Sequence, residues 1–306
     1  MIAEPFLLPL LFATVLWFVA TGFVLWLDRL PSRTWPASLV GATVASGFAM
    51  GGIIATAPET SPAAAYAAFA CALVLWGWHE LSFLMGFVTG PNRNPCPADA
   101  IGWRRFRLAA ATLIHHEVAM FATVIVMMAA TWEAPNQTAT LTFVLLFVMR
   151  LSAKFNIFAG VPHLSTEMMP DHMRYLASYF RIGRPSGLFI ISLAGIAALA
   201  AWLGDAALRA DGGAATGYAL AFALVVLAFI EHGFLVVPWQ DTRMWRWAMR
   251  NNERNNARNN ARNNEPSANR ERLALADFNH IGGAEHAETS AVRVSNPLAA
   301  LETARQ

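Results

Sequence analysis

The chain has 306 residues, of which 56% are hydrophobic and only 14% are charged, and its mean hydropathy is +0.40. A soluble domain carries about a quarter charged residues, so this composition excludes a soluble globular enzyme, a disulfide scaffold and a disordered chain. The net charge of +2 is too small to indicate a nucleic-acid partner. Because the apolar residues occur in runs of about twenty, the length that spans a bilayer as a helix, the sequence predicts an all-α polytopic membrane protein.

Seven apolar segments, separated by proline and turn clusters, are predicted to cross the membrane. Their expected bounds are 6–27, 37–57, 63–88, 108–131, 138–160, 186–203 and 217–237. Arginines are concentrated in the loops after the first, third and fifth segments and in the stretch after the seventh. By the positive-inside rule these regions face the cytoplasm, so we expect the N-terminus outside and the C-terminus in the cytoplasm.

Two connecting regions carry local signals of their own. The stretch that begins Trp103-Arg-Arg-Phe-Arg is expected to be an interfacial aromatic and arginine anchor for the fourth span. After the fifth span, Pro170 should break any helix, and Asp171 is expected to cap a new helix that runs to Phe180.

The composition changes sharply after Arg250. Residues 251–265 form a four-residue Asn/Arg repeat, and sequence of this low complexity cannot bury a core. We therefore predict a transmembrane domain over residues 1–250 and a disordered cytoplasmic tail over residues 251–306.

Six of the eight histidines lie in or beside the predicted spans, and carboxylates accompany them. Counted from the cytoplasmic ends at the helical rise, the His/Glu groups of the third, fourth and seventh spans lie at a similar depth, roughly 9–13 Å inside. A further group follows the fifth span on the same side, so we expect all of them to converge on one site. The candidate ligands for a metal or a tetrapyrrole are His79, Glu80, His115, His116, Glu117, His163, Glu167, His172, Glu231 and His232.

Charged groups are expensive in hydrocarbon. A charged side chain at the centre of a spanning helix costs about 2.5–3.5 kcal/mol, so the glutamates must be paired, protonated or bound to a cation. Arg150 and Lys154, one helical turn apart in the fifth span, either reach the interface or supply that counter-charge. Since Lys154 is the only lysine and does not lie in the last span, a retinal Schiff base there is excluded.

Three interpretations of the polar residues remain open at this point. They could form an interhelical hydrogen-bond network that specifies packing. They could bind a metal, either two iron ions or one zinc, as carboxylate and histidine side chains do inside helical bundles. One or more histidines could also ligate the magnesium or iron of a tetrapyrrole.

Three stretches carry a resemblance that covers roughly residues 1–250. They are Trp78-His-Glu-Leu-Ser-Phe-Leu-Met-Gly-Phe-Val-Thr-Gly-Pro, Ile114-His-His-Glu-Val and Pro162-His-Leu-Ser-Thr-Glu-Met-Met-Pro-Asp-His-Met-Arg-Tyr-Leu-Ala-Ser-Tyr-Phe. Together they resemble the PuhE-type photosynthetic complex assembly proteins of purple bacteria. The resemblance implies a role in building the reaction-centre and light-harvesting complex, and an influence on bacteriochlorophyll supply. It implies no catalytic residues.

The sequence and the resemblance together predict an assembly factor in the bacterial inner membrane, in contact with lipid and with photosynthetic complex subunits or pigment-synthesis proteins. Its His/Glu site would act in bacteriochlorophyll supply or delivery, with iron, zinc or a bacteriochlorophyll-type tetrapyrrole as candidate cofactors. The alternative is a membrane metalloenzyme, a di-iron-type oxidase or hydroxylase acting on a lipid-soluble substrate such as a pigment precursor.

Overall fold

A computed structural model describes residues 4–164 and 169–237, and within these ranges the chain forms α-helices and no β-strand. The helices are α1 (Glu4–Asp28), α2 (Trp35–Thr56), α3 (Pro62–Leu84), α4 (Gly102–Ala110), α5 (Ile114–Ala130), α6 (Thr138–Ala159), α7 (Gly187–Arg209) and α8 (Gly212–Phe234). Two 3-10 helices, Ser32–Thr34 and Asp171–Tyr179, lie in the connections. The predicted all-α class is confirmed. Glu167 and the predicted tail lie outside the described residues.

Six helices, namely α1, α2, α3, α6, α7 and α8, are long and apolar enough to cross a membrane. The helices α4 and α5 pass the same test only together, and they are bent by 65° relative to each other. The 17 residues of α5 rise about 25 Å, which is less than the roughly 30 Å of a hydrocarbon core. Over residues 4–164 and 169–237 the chain is therefore a multi-pass bundle with six continuous spans, or with seven if the bent pair counts as one.

The predicted fourth span, 108–131, is interrupted between α4 and α5, and the loop before α4 explains the interruption. Gly90 lies against the main chain of residues 111–113, where a side chain would not fit. The main-chain N–H of His116, in the first turn of α5, donates to the carbonyl of Thr89 at 3.1 Å. The carbonyl of Thr89 in the loop thus accepts from an N–H group that in a continuous helix would donate to a carbonyl of the preceding turn.

Other predicted bounds also differ from the structure. The sixth span continues to Arg209 rather than ending at residue 203, and the seventh begins at Gly212 rather than at residue 217. The third span ends at Leu84 rather than at residue 88, because Gly86 adopts φ +78°. The N–H of Phe87 then bonds the carbonyl of Ser82 at 2.9 Å, which closes the helix with a Schellman motif. The segment predicted to be capped by Asp171 is a 3-10 helix, and Asp171 is its first residue. Its carboxylate pairs with Arg174 at 2.8 Å instead of capping.

Hydrogen bonds between loops show which helix ends lie together at each of the two ends of the bundle. At one end Asn136 N–H donates to the carbonyl of Ala57 at 3.0 Å, and Gly213 N–H donates to Thr60 at 2.8 Å. The other end, which we call the arginine-rich end, carries Arg29, Arg33, Arg93, Arg104, Arg105, Arg107, Arg174, Arg181 and Arg184. That this end faces the cytoplasm stays a prediction of the positive-inside rule.

The most buried helices of the bundle are α3 and α8. Both carry rows of buried alanines, such as Ala65, Ala68 and Ala72 on α3 and Ala219 and Ala223 on α8. Small residues let helix backbones approach closely in a membrane, where no hydrophobic force between helices is available. The close approach holds the polar groups of α3 and α8 against α6.

Gly90 offers a test of the interrupted span. A Cβ at this position would lie 2.6 Å from the carbonyl carbon of Thr112 and 2.7 Å from the nitrogen of Leu113, and neither main-chain atom can rotate away. We expect Gly90→Ala to destabilise the protein by about 1–3 kcal/mol, the usual range for overpacking. Thermal unfolding of the purified protein in detergent measures this loss. Gly195→Ala on α7, where a Cβ meets nothing within 4 Å, is the control. Equal transition temperatures for the two variants would contradict the close packing of Gly90 against residues 111–113.

Candidate functional site

Two ion pairs connect α6 to its neighbours. Arg150 Nη2 lies 3.0 Å from Glu80 Oε2 on α3, and Lys154 Nζ lies 2.5 Å from Glu117 Oε1 on α5. Both glutamate side chains are largely buried, with exposed fractions of 12% and 13%. Because Arg150 and Lys154 are one turn apart, they share a face of α6. One face of one helix therefore supplies both counter-charges.

The two buried histidines of α3 and α5 lie beside these pairs. The rings of His79 and His116 are 6.4 Å apart between centroids. His79 Nε2 forms a hydrogen bond of 2.9 Å with the hydroxyl of Thr123 on α5, and its ring packs edge-on against Phe143 of α6. His79 therefore joins three helices as well as lying near the charges.

His116 is fully buried, and its ring packs against Phe83 with centroids 4.5 Å apart. Within the described part of the chain, neither of its ring nitrogens has a hydrogen-bond partner. The same holds for the second carboxylate oxygens, Oε1 of Glu80 and Oε2 of Glu117. The group thus retains unused hydrogen-bonding capacity around His116, which an ordered water could satisfy.

On α8, His232 and Glu231 interact with α6 in different ways, the first by a hydrogen bond and the second by electrostatic attraction. His232 is buried, its Nδ1 lies 2.8 Å from the carbonyl of Ala228, and its Nε2 lies 3.1 Å from the hydroxyl of Ser152. Since a carbonyl only accepts, Nδ1 carries the proton and Nε2 accepts from Ser152. Glu231 is exposed and lies close enough to Arg150 to attract it electrostatically.

The remaining candidates do not join this group. His115 is exposed, because it is rotated about 100° from His116 on the helix. His163 is exposed, and its main-chain N–H bonds the carbonyl of Leu235 at 3.2 Å. His172 lies at the end of α3, with its ring 5.2 Å from that of Trp35. Glu167 lies outside the described residues.

His172 lies outside the spanning segments, and its surroundings lower the pKa of its side chain. Partial burial lowers the pKa of its imidazole from the ordinary value, and the Arg93 guanidinium acts in the same direction. A hydrogen bond to the main chain of Leu84 and the Asp171 carboxylate oppose that change in the pKa. His172 is exposed at the arginine-rich end and lies apart from the polar group of α3, α5 and α6.

The described residues suit a metal poorly. Among them, no three His, Cys, Asp or Glu side chains are grouped so that they could hold a metal ion. Glu80 and Glu117 each commit one oxygen to a cation, so a metal would have to compete with Arg150 and Lys154. His116 is fully buried, with the rings of Phe83 and His79 against it, and ligation of a tetrapyrrole by a histidine stays a prediction.

Two residues of this network, Thr123 and Ser152, were not predicted from the sequence. A hydroxyl in an apolar helix is a signal, because such groups often bond across helices in membranes. Ser152 lies between Arg150 and Lys154, and that spacing would have indicated a second polar face on α6. Thr123 gives no local signal beyond its hydroxyl, since its partner becomes known only when α3 and α5 are brought together.

The Lys154–Glu117 pair can be tested by comparing single and double variants. Lys154→Met leaves the largely buried Glu117 carboxylate without its cation, and removing one partner of a buried pair costs on the order of 3 kcal/mol. The double variant Glu117→Gln/Lys154→Met removes both charges and should recover most of that loss. Thermal unfolding in detergent measures both.

The exposed pair Arg209–Asp205 is the matched control for this comparison. Arg209→Met should cost at most about 1 kcal/mol, as exposed pairs do. If Lys154→Met unfolds at the temperature of wild type, or if the double variant is no more stable than the single one, the pair does not stabilise the bundle.

Comparisons with known proteins identify a family and one curated relative. Residues 3–256 match a family model described as a protein of unknown function, DUF3623. The chain is also 36% identical over 255 residues to a protein of Rhodobacter capsulatus described as "Uncharacterized 30.4 kDa protein in puhA 5'region". That match covers 82% of this chain and 93% of the relative. No solved structure matches the chain. The chain therefore belongs to the DUF3623 family.

Proposed function

We propose that this protein is an integral-membrane assembly factor for the bacterial photosynthetic reaction-centre and light-harvesting complex, located in the inner membrane. Support comes from the Rhodobacter capsulatus relative, whose description places it in the 5' region of the photosynthesis gene puhA. Bacterial genes that lie together often serve one process. The multi-pass fold agrees with this role, because the complex is assembled within the membrane.

The two ion pairs between α6 and its neighbours are the observation that favours an assembly factor over a redox metalloenzyme. Glu80 and Glu117 are both engaged by cations, and His79 and His232 are both hydrogen-bonded. Such a network fixes how α3, α5 and α8 pack against α6. We infer that it holds the bundle rigid while the outer surface engages subunits or pigment of the complex.

Complementation tests this role and the part that the ion pairs play. In the native bacterium, deletion of the gene should lower the reaction-centre and light-harvesting absorption of the membranes, and the wild-type gene should restore it. We expect Glu80→Gln to restore less, because Arg150 loses its carboxylate, and Glu80→Gln/Arg150→Met to restore more than the single variant. Glu133→Gln, at an exposed position of the other end, is the control.

Protein levels must be measured in the same membranes. If Glu80→Gln and Glu231→Gln both assemble complexes as well as wild type, the glutamates supply no anionic ligand. If the double variant is present at wild-type levels yet assembles nothing, the carboxylate acts chemically and the structural interpretation is wrong. An undiminished absorption after gene deletion would contradict the assembly role itself.

An absorption spectrum and a metal analysis of the detergent-purified protein distinguish the remaining modes of action. We expect neither stoichiometric iron nor zinc, because the described carboxylates are paired with cations. Stoichiometric pigment without iron would support pigment delivery at another surface of the protein. About two irons per chain would overturn our interpretation and favour the alternative, a di-iron oxidase or hydroxylase.

A further inference from the structure

The short helix α4 is joined to α6 by an aromatic stack. Trp103 stacks on Phe106 with ring centroids 5.0 Å apart, and Phe106 lies 6.4 Å from Phe155 and 5.7 Å from Phe158. Phe155 belongs to a spanning helix and lies one turn before its end at Ala159. The stack therefore sets Trp103 near the level at which α6 leaves the hydrocarbon, where tryptophan is enriched in membrane proteins.

Arg105 fixes the position of α4. Its guanidinium lies 4.2 Å from the ring centroid of Phe158 and donates to the carbonyls of Phe158 at 3.3 Å and Tyr179 at 2.5 Å. With α5 bent away by 65°, α4 is attached to the end of α6 and does not extend α5. An amphipathic helix held at this level lies along the interface.

The outer side of this region combines exposed apolar and basic side chains. Ile101 is 79% exposed, Trp103 70% and Ile182 75%. The segment that carries Ile182 is joined to the same end of α6, because Gly183 N–H donates to the carbonyl of Val161 at 3.0 Å. Such residues are costly in water but suit the boundary between headgroups and acyl chains.

Three arginines surround these apolar side chains. Arg107, Arg181 and Arg184 are exposed, and in the described ranges none of them forms an ion pair. Arg104, by contrast, is paired with Asp99 at 2.5 Å. A guanidinium presents a planar fork of donors that matches a phosphate group. The region therefore offers unneutralised cations close to the apolar side chains that enter the interface.

We propose that α4 and residues 181–184 form a binding surface for the headgroups of anionic phospholipids, and we call it the headgroup surface. Trp103, Ile101 and Ile182 enter the interface, and Arg107, Arg181 and Arg184 contact lipid phosphates. Charge complementarity favours an anionic leaflet over a neutral one. This inference is independent of the assembly role and would hold for any membrane function of the chain.

Lipid titration of the full-length protein tests the proposal. The protein is purified in an uncharged detergent, and phosphatidylglycerol or phosphatidylcholine is added while thermal unfolding is followed. We expect phosphatidylglycerol to raise the transition temperature more than phosphatidylcholine, and added salt to reduce the difference. In Arg107→Gln/Arg181→Gln/Arg184→Gln we expect the apparent Kd for phosphatidylglycerol to rise about tenfold or more, from the loss of three charges.

Matched variants separate this effect from a loss of fold. Arg209→Gln, at the other end of α7, should respond to phosphatidylglycerol as wild type does. Replacing the three arginines by lysine keeps the charge and should retain most of the response. If the glutamine variant does not fold, the lipid preference and salt dependence of the wild type decide the question.

Three results would overturn the proposal. Equal stabilisation by the two lipids would remove the preference for anionic headgroups. An equal effect of inorganic phosphate would assign the arginines to a general anion site. A wild-type lipid response in the glutamine variant, with complex assembly lost in cells, would assign the surface to a protein partner instead.

Discussion

The bundle depends on the compensation of two buried carboxylates by the cations of α6. The free energy lost by placing one uncompensated charge in hydrocarbon is about as large as the insertion free energy gained from several leucines. Glu80 and Glu117 therefore restrict the position of every helix that carries or contacts them. Because Arg150 and Lys154 share one face of α6, they fix the rotation of α3 and α5 together. A rotation of α5 by one residue, about 100°, would replace Glu117 by a neighbour and leave Lys154 unpaired.

The same constraint links the interior to the arginine-rich end. Phe83 packs on the buried ring of His116 and lies 5.7 Å from Lys154 Nζ, and the turn at Gly86 follows it directly. Thr89 bonds the first turn of α5, and Arg93 donates back to the carbonyl of Gly86 at 3.0 Å. These contacts form a continuous series from the ion pairs to the loop before α4.

The sequence predicted the spans well and the contacts of the polar groups only in part. Hydrophobic runs determine where helices lie, and counting residues gives the depth of Glu80 or Glu117 along them. Which of His115 and His116 points inward cannot be derived from one helix, because it depends on where α3 and α6 lie around α5. The interruption of the fourth span could not be predicted either, since it requires Gly90, more than twenty residues earlier in the chain, to pack against the main chain of residues 111–113.

The network also defines what evolution can change within the family. A buried ion pair stabilises little compared with a well-packed apolar pair, but losing one partner is severe. Residues 117 and 154 should therefore be replaced together, if at all, and residues 80 and 150 likewise. His116 is under no such coupling, because its ring nitrogens bond no other described side chain. A relative that kept a histidine at this position after losing both ion pairs would show that the imidazole serves a purpose other than packing the bundle.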